Sequence, residues 1–150
     1  MRHFIVLMVA LLVTACASTP QASRERDAEA KRFGSSPAAA TVYIYRPTTN
    51  PAPHDETVLW IDNQLIGATL PLAYFRVHLE PGRHVMNGLA HDNGRLALEV
   101  RPGEVYFVEQ LITSGQSQFR LVSADLGQKV ITNCCHLLET WAPGQRPLLR

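Results

Sequence analysis

Short segments with the residue pattern of β-strands recur along most of the chain, and turn-forming residues separate them. In residues 41–46, Val42 and Ile44 alternate with two tyrosines, so the two kinds of side chain point to opposite faces. Such alternation in a run of β-branched and aromatic residues is typical of a strand. Similar segments follow at intervals of about eight to twelve residues, which predicts an antiparallel sandwich.

Turn signals support this prediction. Pro81-Gly82 and Pro102-Gly103 each follow one strand pattern and precede another. Proline presets the first central position of a type II turn, and glycine accepts the positive φ of the second. Asp62-Asn63 predicts a tight turn, because both residues tolerate left-handed conformations. After Ser123, a predicted N-cap, apolar residues recur at helical spacing and predict one short C-terminal helix. The predicted fold is therefore mainly β, a small antiparallel β-sandwich.

The N-terminal residues have the pattern of a bacterial lipoprotein signal. The uncharged apolar run of residues 4–13 is too short to span a bilayer but long enough for a signal core. The following Val13-Thr14-Ala15-Cys16 resembles the lipobox, which implies cleavage after Ala15 and a diacylglycerol on the Cys16 sulfur, with acyl chains such as palmitate. An ordinary secretory signal and an uncleaved anchor are the alternatives. Ala17 follows the cysteine where Asp would favour the inner membrane, so we expect anchoring to the outer membrane, facing the periplasm.

Composition divides the chain into four parts. Residues 1–15 are the predicted signal peptide, and residues 40–135 the predicted sandwich domain. Residues 16–39 are rich in Ala, Ser, Pro and charge, with Phe33 the only large apolar residue, which predicts a flexible tether. Its helix-forming stretch lacks an apolar stripe with which to dock. Residues 136–150 contain repeated breakers and are predicted to be a C-terminal tail.

Several of these residues occur together in a known lipoprotein family. They are Val42-Tyr-Ile-Tyr-Arg46, Asp62, Gly67, Tyr74, Pro81-Gly82-Arg83-His84 and Pro102-Gly103-Glu-Val-Tyr106. Over about residues 40–126 the chain resembles the lipoprotein family called domain of unknown function 2846, and its inner part is similar to PEGA domains. The resemblance implies a prealbumin-like β-sandwich and brings no known active site. Leu70 interrupts the usual Gly-x-Thr-Pro pattern.

The charge balance argues against a nucleic-acid partner. The chain has 14 basic and 13 acidic residues, and loss of Arg2 with the signal leaves equal numbers. Nucleic-acid binding depends on clustered Lys and Arg that neutralise phosphates, and no such cluster occurs in the sequence.

Cys134-Cys135-His136 is the most chemically suggestive motif, because thiolates and imidazole are preferred ligands of zinc and copper. Three consecutive residues cannot easily face one metal, and the other histidines show no ligand spacing, so no metal site is predicted. In an oxidising compartment the two cysteines can form a disulfide with each other, pair with a second molecule, or remain buried thiols. The helix pattern predicts that Cys134 is buried and that Cys135 is exposed to a partner.

No catalytic residue and no cofactor is predicted, since the sequence lacks a nucleophile elbow and a glycine-rich phosphate loop. His84 is expected to hydrogen-bond the backbone of the Pro-Gly corner. We expect a non-enzymatic, lipid-anchored module that binds or scaffolds envelope proteins or glycans through loops such as residues 46–57 and the tail. The alternative is a metal-handling or thiol-redox protein that uses Cys134, Cys135 and His136.

Overall fold

A computed structural model of the chain describes residues 19–47, 57–88, 94–113 and 116–141. These residues form two sheets and two helices. The strands are β1 (Ala40–Arg46), β2 (Thr57–Ile61), β3 (Gln64–Thr69), β4 (Ala73–Leu79), β5 (Gly82–Asn87), β6 (Arg95–Val100), β7 (Val105–Thr113), β8 (Gln116–Val122) and β9 (His136–Leu137). The helices are α1 (Arg24–Ala30) and α2 (Ala124–Cys134). Neither helix has the length and apolar character that a membrane crossing requires, within the ranges just given.

The two sheets confirm the predicted β-sandwich. One has five strands in the order β8-β7-β1-β4-β9, and the other has four in the order β3-β2-β5-β6. Most neighbours are antiparallel, but β1 runs parallel to β7 and β4 runs parallel to β9. The chain visits the second sheet between β1 and β7, so no hairpin forces those two strands to be antiparallel.

The two Pro-Gly corners carry the chain from one sheet to the other. Gly82 begins β5 after β4 has ended, and Gly103 lies between β6 and β7. Their φ angles are 135° and 77°, in the region that favours glycine. The β2–β3 turn uses Asp62 and Asn63 with φ of 50° and 63°, as the sequence predicts.

The main core lies between the two sheets. Val42 and Ile44 contribute from β1, as their alternation predicts, and the second sheet contributes fully buried Leu59 and Met86. Burial of side chains this size is worth roughly 1.5–3 kcal/mol each. This core holds the two sheets together.

The outer face of the five-stranded sheet is also buried. Tyr43, Tyr74 and Phe107 form a second cluster there, under the two helices. α2 begins at the predicted N-cap Ser123, whose hydroxyl accepts the Leu126 N–H. The sheet is thus covered on both faces, so its tyrosines are core residues.

The N-terminal segment docks on this outer face. Ala30, at the end of α1, is fully buried, and the Tyr43 hydroxyl donates a 2.7 Å hydrogen bond to its carbonyl. The Phe33 ring packs edge-on against Phe107, with centroids 5.6 Å apart. The prediction of a flexible tether is therefore wrong for residues 19–39, because polar contacts and one aromatic ring dock a helix that has no apolar stripe.

The C-terminal residues also belong to the domain as far as Trp141. His136 and Leu137 form β9, which pairs with Ala73 and Tyr74 of β4. Leu138 is buried in the main core. The predicted boundary at residue 136 is therefore wrong, while residues 142–150 lie outside the described ranges.

Candidate functional site

The two terminal segments of the domain run side by side. We call this pair, residues 19–22 and 136–141, the terminal seam. The Ala22 N–H donates to the Leu137 carbonyl at 2.9 Å, and the Glu139 N–H donates to the Pro20 carbonyl at 2.8 Å. Gln21 and Leu138 form an isolated antiparallel bridge. The seam fixes where the chain enters the domain from its N-terminal side.

The seam also covers the free edge of β3. The Thr19 hydroxyl donates to the Ala68 carbonyl at 2.8 Å and accepts the Ala68 N–H at 2.9 Å. Two residues along the strand, the Ile66 carbonyl accepts the Trp141 N–H at 2.8 Å. Thr19 is only 2% exposed. Both terminal segments are therefore held on one edge strand, although neither contact has a pattern in the sequence that would predict it.

Asp27 connects α1 to the seam. One of its carboxylate oxygens accepts the Tyr74 hydroxyl at 2.9 Å and the Leu137 N–H at 2.8 Å. The other lies 2.8 Å from Lys31 Nζ, one helical turn later. Partial burial alone would raise the pKa of Asp27, but these three partners lower it. Sequence reasoning missed Asp27; its only local signal is the i, i+4 spacing to Lys31.

The edge strand β3, which the seam covers, and its neighbour β2 carry no charged residue. Asp62, at the turn, is the only ionisable residue between Thr57 and Thr69. Trp60 and Leu65 are cross-strand partners on β2 and β3, and both are half-buried. Trp141 is half-buried as well. On its β2–β3 side, the point where the N-terminal segment reaches the domain is therefore bordered by an uncharged surface with aromatic side chains.

A small cleft lies between α1, β4 and the seam. Its volume is about 80 Å³. The charged groups at its rim pair with each other, Arg26 with Glu139 and Arg76 with Glu29. Pockets for organic ligands are usually larger than about 300 Å³. This cleft accommodates water and gives no geometry for a substrate.

The predicted lipid site lies just outside the described residues. Ala15 and Cys16 precede Thr19, so their cleavage and lipidation remain predictions. Only Ala17 and Ser18 separate Cys16 from the buried Thr19.

The cysteine pair lies where α2 ends. Cys135 is the C-cap, in an extended conformation with φ −119° and ψ 150°, and is 1% exposed within the outer cluster. Cys134 is half-buried. The predicted burial order is therefore wrong, because the chain leaves the helical path at Cys135 and turns that side chain toward the sheet.

A disulfide between Cys134 and Cys135 stays a prediction. His136 is exposed on β9. Among the described residues, no three His, Cys, Asp or Glu side chains are grouped so that they could hold a metal ion. A metal-handling or thiol-redox role for Cys134, Cys135 and His136 stays a prediction.

His84 forms the backbone hydrogen bond that the sequence predicts. Its Nε2 lies 2.7 Å from the Glu80 carbonyl, and its Nδ1 lies 2.5 Å from an Asp62 carboxylate oxygen. Partial burial alone would lower the pKa of His84, but these acceptors raise it. Its stabilising contribution is therefore complete below the ordinary imidazole pKa and is lost as the pH rises through the raised value. The pair fastens the β2–β3 turn to β5.

The predicted contact loops are described only in part. Residues 48–56, most of the loop after β1, lie outside the described ranges, as do residues 142–150 of the tail. The tail residues that are described belong to the seam. Their role in recognition of an envelope protein or glycan stays a prediction.

Comparison with known proteins finds a bacterial relative of this chain. No protein-family model matches the chain, so the resemblance to domain of unknown function 2846 stays a prediction. No solved structure matches it either. A protein of Haemophilus influenzae described only as uncharacterised is 30% identical over 133 residues, which cover 85% of this chain and 79% of that protein. This chain belongs to the same family as that Haemophilus influenzae protein.

Proposed function

We propose that this protein is a lipid-anchored lipoprotein of the bacterial envelope, held on the outer membrane and facing the periplasm, where it acts as a non-catalytic binding or scaffolding module. The observation that carries the proposal is the short connection between the lipobox cysteine and the folded domain. Thr19 is buried and hydrogen-bonded to β3, and it lies only three residues after Cys16, the proposed site of the lipid. A rigid domain attached this closely suits a scaffold at a membrane surface.

The anchor has a clear physical role in this proposal. After loss of Arg2 the formal charges balance, so electrostatic attraction to anionic lipid contributes little. Each buried methylene group of an acyl chain adds about 0.8 kcal/mol, and two or more chains give durable attachment. Membrane residence therefore depends on the sulfur of Cys16.

The resemblance to a lipoprotein family of unknown function and to PEGA domains supports the same proposal. The matching residues are turn and core residues. Val42 and Ile44 are in the main core, Gly82 and Gly103 adopt positive φ, and Asp62 binds the β5 backbone through the Val85 N–H at 2.8 Å. Their structural roles are consistent with a frame that carries recognition on its loops.

Mass analysis of the protein from its native host tests the anchor. We expect a mature chain that begins at Cys16 and carries diacylglycerol, and we expect Cys16→Ser to carry no diacylglycerol and to be lost from the outer-membrane fraction. Cys134→Ser is the matched control and is expected to remain lipidated and membrane-bound. An unmodified thiol, or an N-terminus other than Cys16, would contradict the proposal.

Cross-linking in intact cells tests the binding role. The lipidated protein is compared with an unrelated soluble domain fused to residues 1–18, so that both share the same anchor. We expect the native domain to capture at least one envelope protein or glycan that the fusion does not. Identical neighbours for the two proteins would mean that the sandwich itself selects no partner.

A further inference from the structure

We infer that the side of the sandwich formed by Trp60, Leu65, Ala68 and Trp141 lies against the lipid bilayer. We call this surface the anchor face. The inference rests on the proposed lipid at Cys16 and adds an orientation to it. Its partner is the phospholipid surface in which the acyl chains of Cys16 are embedded.

The short connection between Cys16 and Thr19 limits how far the domain can lie from the membrane. Cys16 and Thr19 are three residues apart in the sequence, so their Cα atoms are separated by at most about 11 Å. The headgroup region of one leaflet is about 5–8 Å thick. Thr19 is fixed to the Ala68 backbone by two hydrogen bonds, so it cannot move away from the domain to lengthen the connection. β3 must therefore lie close to the headgroups.

The anchor face is composed of apolar and aromatic side chains. Trp60 and Leu65 are cross-strand neighbours, Val58 pairs with Ala68 beside them, and Trp141 is bonded to Ile66 on the same strand. Trp60, Leu65, Ala68 and Trp141 are all half-buried. Tryptophan is favoured at the membrane interface, where its apolar ring and its N–H meet both environments. This composition suits contact with lipid headgroups and the upper acyl chains.

The edge strand β3 also lacks the charged residues that would protect it in water. Edge strands that face water usually carry charges that prevent pairing with other chains. β3 has none, whereas the edge strands on the other side of the sandwich include exposed Arg95, Glu99 and Arg120. The terminal seam satisfies part of the β3 edge. A membrane alongside it protects the rest, while the charged edge faces the aqueous space.

Tryptophan quenching by brominated lipid tests the orientation. The chain has two tryptophans, so Trp60→Phe leaves Trp141 as the only reporter. A second reporter on the anchor side is Gln64→Trp, and the matched reporter on the far side is Gln118→Trp, both in a chain that also carries Trp60→Phe and Trp141→Phe. Both glutamines are exposed and lie on edge strands, β3 and β8 respectively.

Each full-length variant is purified in its lipidated form and reconstituted into vesicles of phosphatidylethanolamine and phosphatidylglycerol that contain dibrominated phosphatidylcholine. We expect quenching of Trp141 and of the residue 64 reporter to exceed that of the residue 118 reporter by at least about twofold, because interfacial tryptophan contacts lipid directly. Circular dichroism establishes that each variant is folded before it is compared.

The outcomes separate this inference from the proposal on which it rests. If mass analysis shows no lipid on Cys16, the proposed function fails. If Cys16 is lipidated but all three reporters are quenched equally, or the residue 118 reporter most, the orientation alone is overturned. The third outcome is that Trp141 fluorescence changes with the density of protein in the vesicle but not with the amount of brominated lipid. That result would mean that a second copy of the chain covers the anchor face, and it would also overturn the orientation.

Discussion

The two helices cover the same sheet face by different physical means. α2 docks through apolar contacts: Ile131 is fully buried, and Gly127 lies so close to Phe107 that an added Cβ would overlap the ring. α1 buries only Ala30 and is held by polar contacts, in which Asp27 accepts hydrogen bonds from Tyr74 and Leu137. The difference shows that a helix can be fixed to a sheet without the apolar stripe that sequence reasoning requires.

This contrast matters for the proposed function. Apolar docking of α2 stabilises the far half of the sheet, near β7, while polar docking of α1 holds the N-terminal segment beside β9. If α1 were undocked, the predicted tether would extend to residue 39. With α1 in place, Cys16, the proposed lipid site, is three residues from Thr19 at the sheet edge. If Cys16 carries a lipid, as we propose, the polar contacts of α1 help to set the distance between the domain and the membrane.

The largest expected effect tests whether α2 is held on the sheet by burial of its apolar side chains. Ile131→Ala removes a fully buried side chain and is expected to lower the free energy of unfolding by about 3 kcal/mol, in the range of buried Ile to Ala changes. Leu126→Ala, on the same helix but 44% exposed, is the control and is expected to cost less than about 0.5 kcal/mol. Urea denaturation measures both. Equal losses would show that α2 is not held by burial.

The next effect tests the polar side. Asp27→Ala leaves the Leu137 N–H without its acceptor and leaves the Tyr74 hydroxyl only the residue 27 carbonyl, 3.5 Å away, so it is expected to cost about 2 kcal/mol. Asp125→Ala, at an exposed position in the first turn of α2, is the control with little expected loss. Hydrogen exchange should show faster opening of α1 than of α2 in the Asp27 variant. If α1 stays as protected as in the wild type, its polar docking is not what holds it.

The pH dependence of that loss has a defined sign. Because the pKa of Asp27 is lowered in the folded protein, its contribution is complete above the ordinary carboxyl pKa and disappears as the pH falls through the lowered value. The stability difference between the wild type and Asp27→Ala should therefore be constant near neutral pH and shrink in acid. A difference that grows in acid would contradict the assignment.

Gly127→Ala is expected to have a smaller net effect. The new Cβ would overlap the Phe107 side chain, and such overpacking lowers the free energy of unfolding by about 1–3 kcal/mol. The higher helix propensity of alanine raises it by about 1 kcal/mol. We expect a net loss of about 1 kcal/mol. Gly34→Ala is the control, because its Cβ would meet no atom within 4 Å. A Gly127 variant as stable as the control would mean that α2 can shift away from the sheet.

The smallest expected effect concerns the ion pair within α1. Lys31→Ala removes the partner 2.8 Å from Asp27 and is expected to cost about 0.5 kcal/mol, as for other i, i+4 pairs near a surface. Arg32→Ala, exposed and next in sequence, is the control. Thermal denaturation at low and high salt compares them. A loss as large as that of Asp27→Ala would show that Lys31, and not the hydrogen bonds, fixes α1.

Sequence reasoning succeeded wherever the cause of the structure was local. The alternation in β1, the left-handed pair Asp62-Asn63 and the N-cap Ser123 depend on neighbours a few residues away. It failed for Cys135, whose burial follows from the end of α2 and the start of β9. The prediction extended the helical periodicity beyond Cys134, where α2 ends, and so assigned the buried position to the wrong cysteine.

The lipid site at Cys16 stays a prediction from a short motif, since residues 13–16 resemble a lipobox. The contacts that hold the neighbouring segments on the domain could not be predicted. Thr19, Asp27 and Trp141 are ordinary polar and aromatic residues in a segment without periodicity, and their roles depend on partners between 47 and 110 positions away. Nothing in a linear pattern specifies contacts across such distances.

The sequence by itself determined that this chain forms a mainly β sandwich with one short helix toward its C-terminal end, because side-chain alternation, capping and turn sterics act within a few residues. Only the tertiary structure decided that α1 docks, that β1 and β7 are parallel, and that both terminal segments meet on β3. These features depend on hydrogen bonds between residues far apart in the sequence. The groups involved are single side chains, such as those of Asp27 and Thr19, or backbone groups that every residue except proline supplies in full, so they leave no periodic pattern in the sequence.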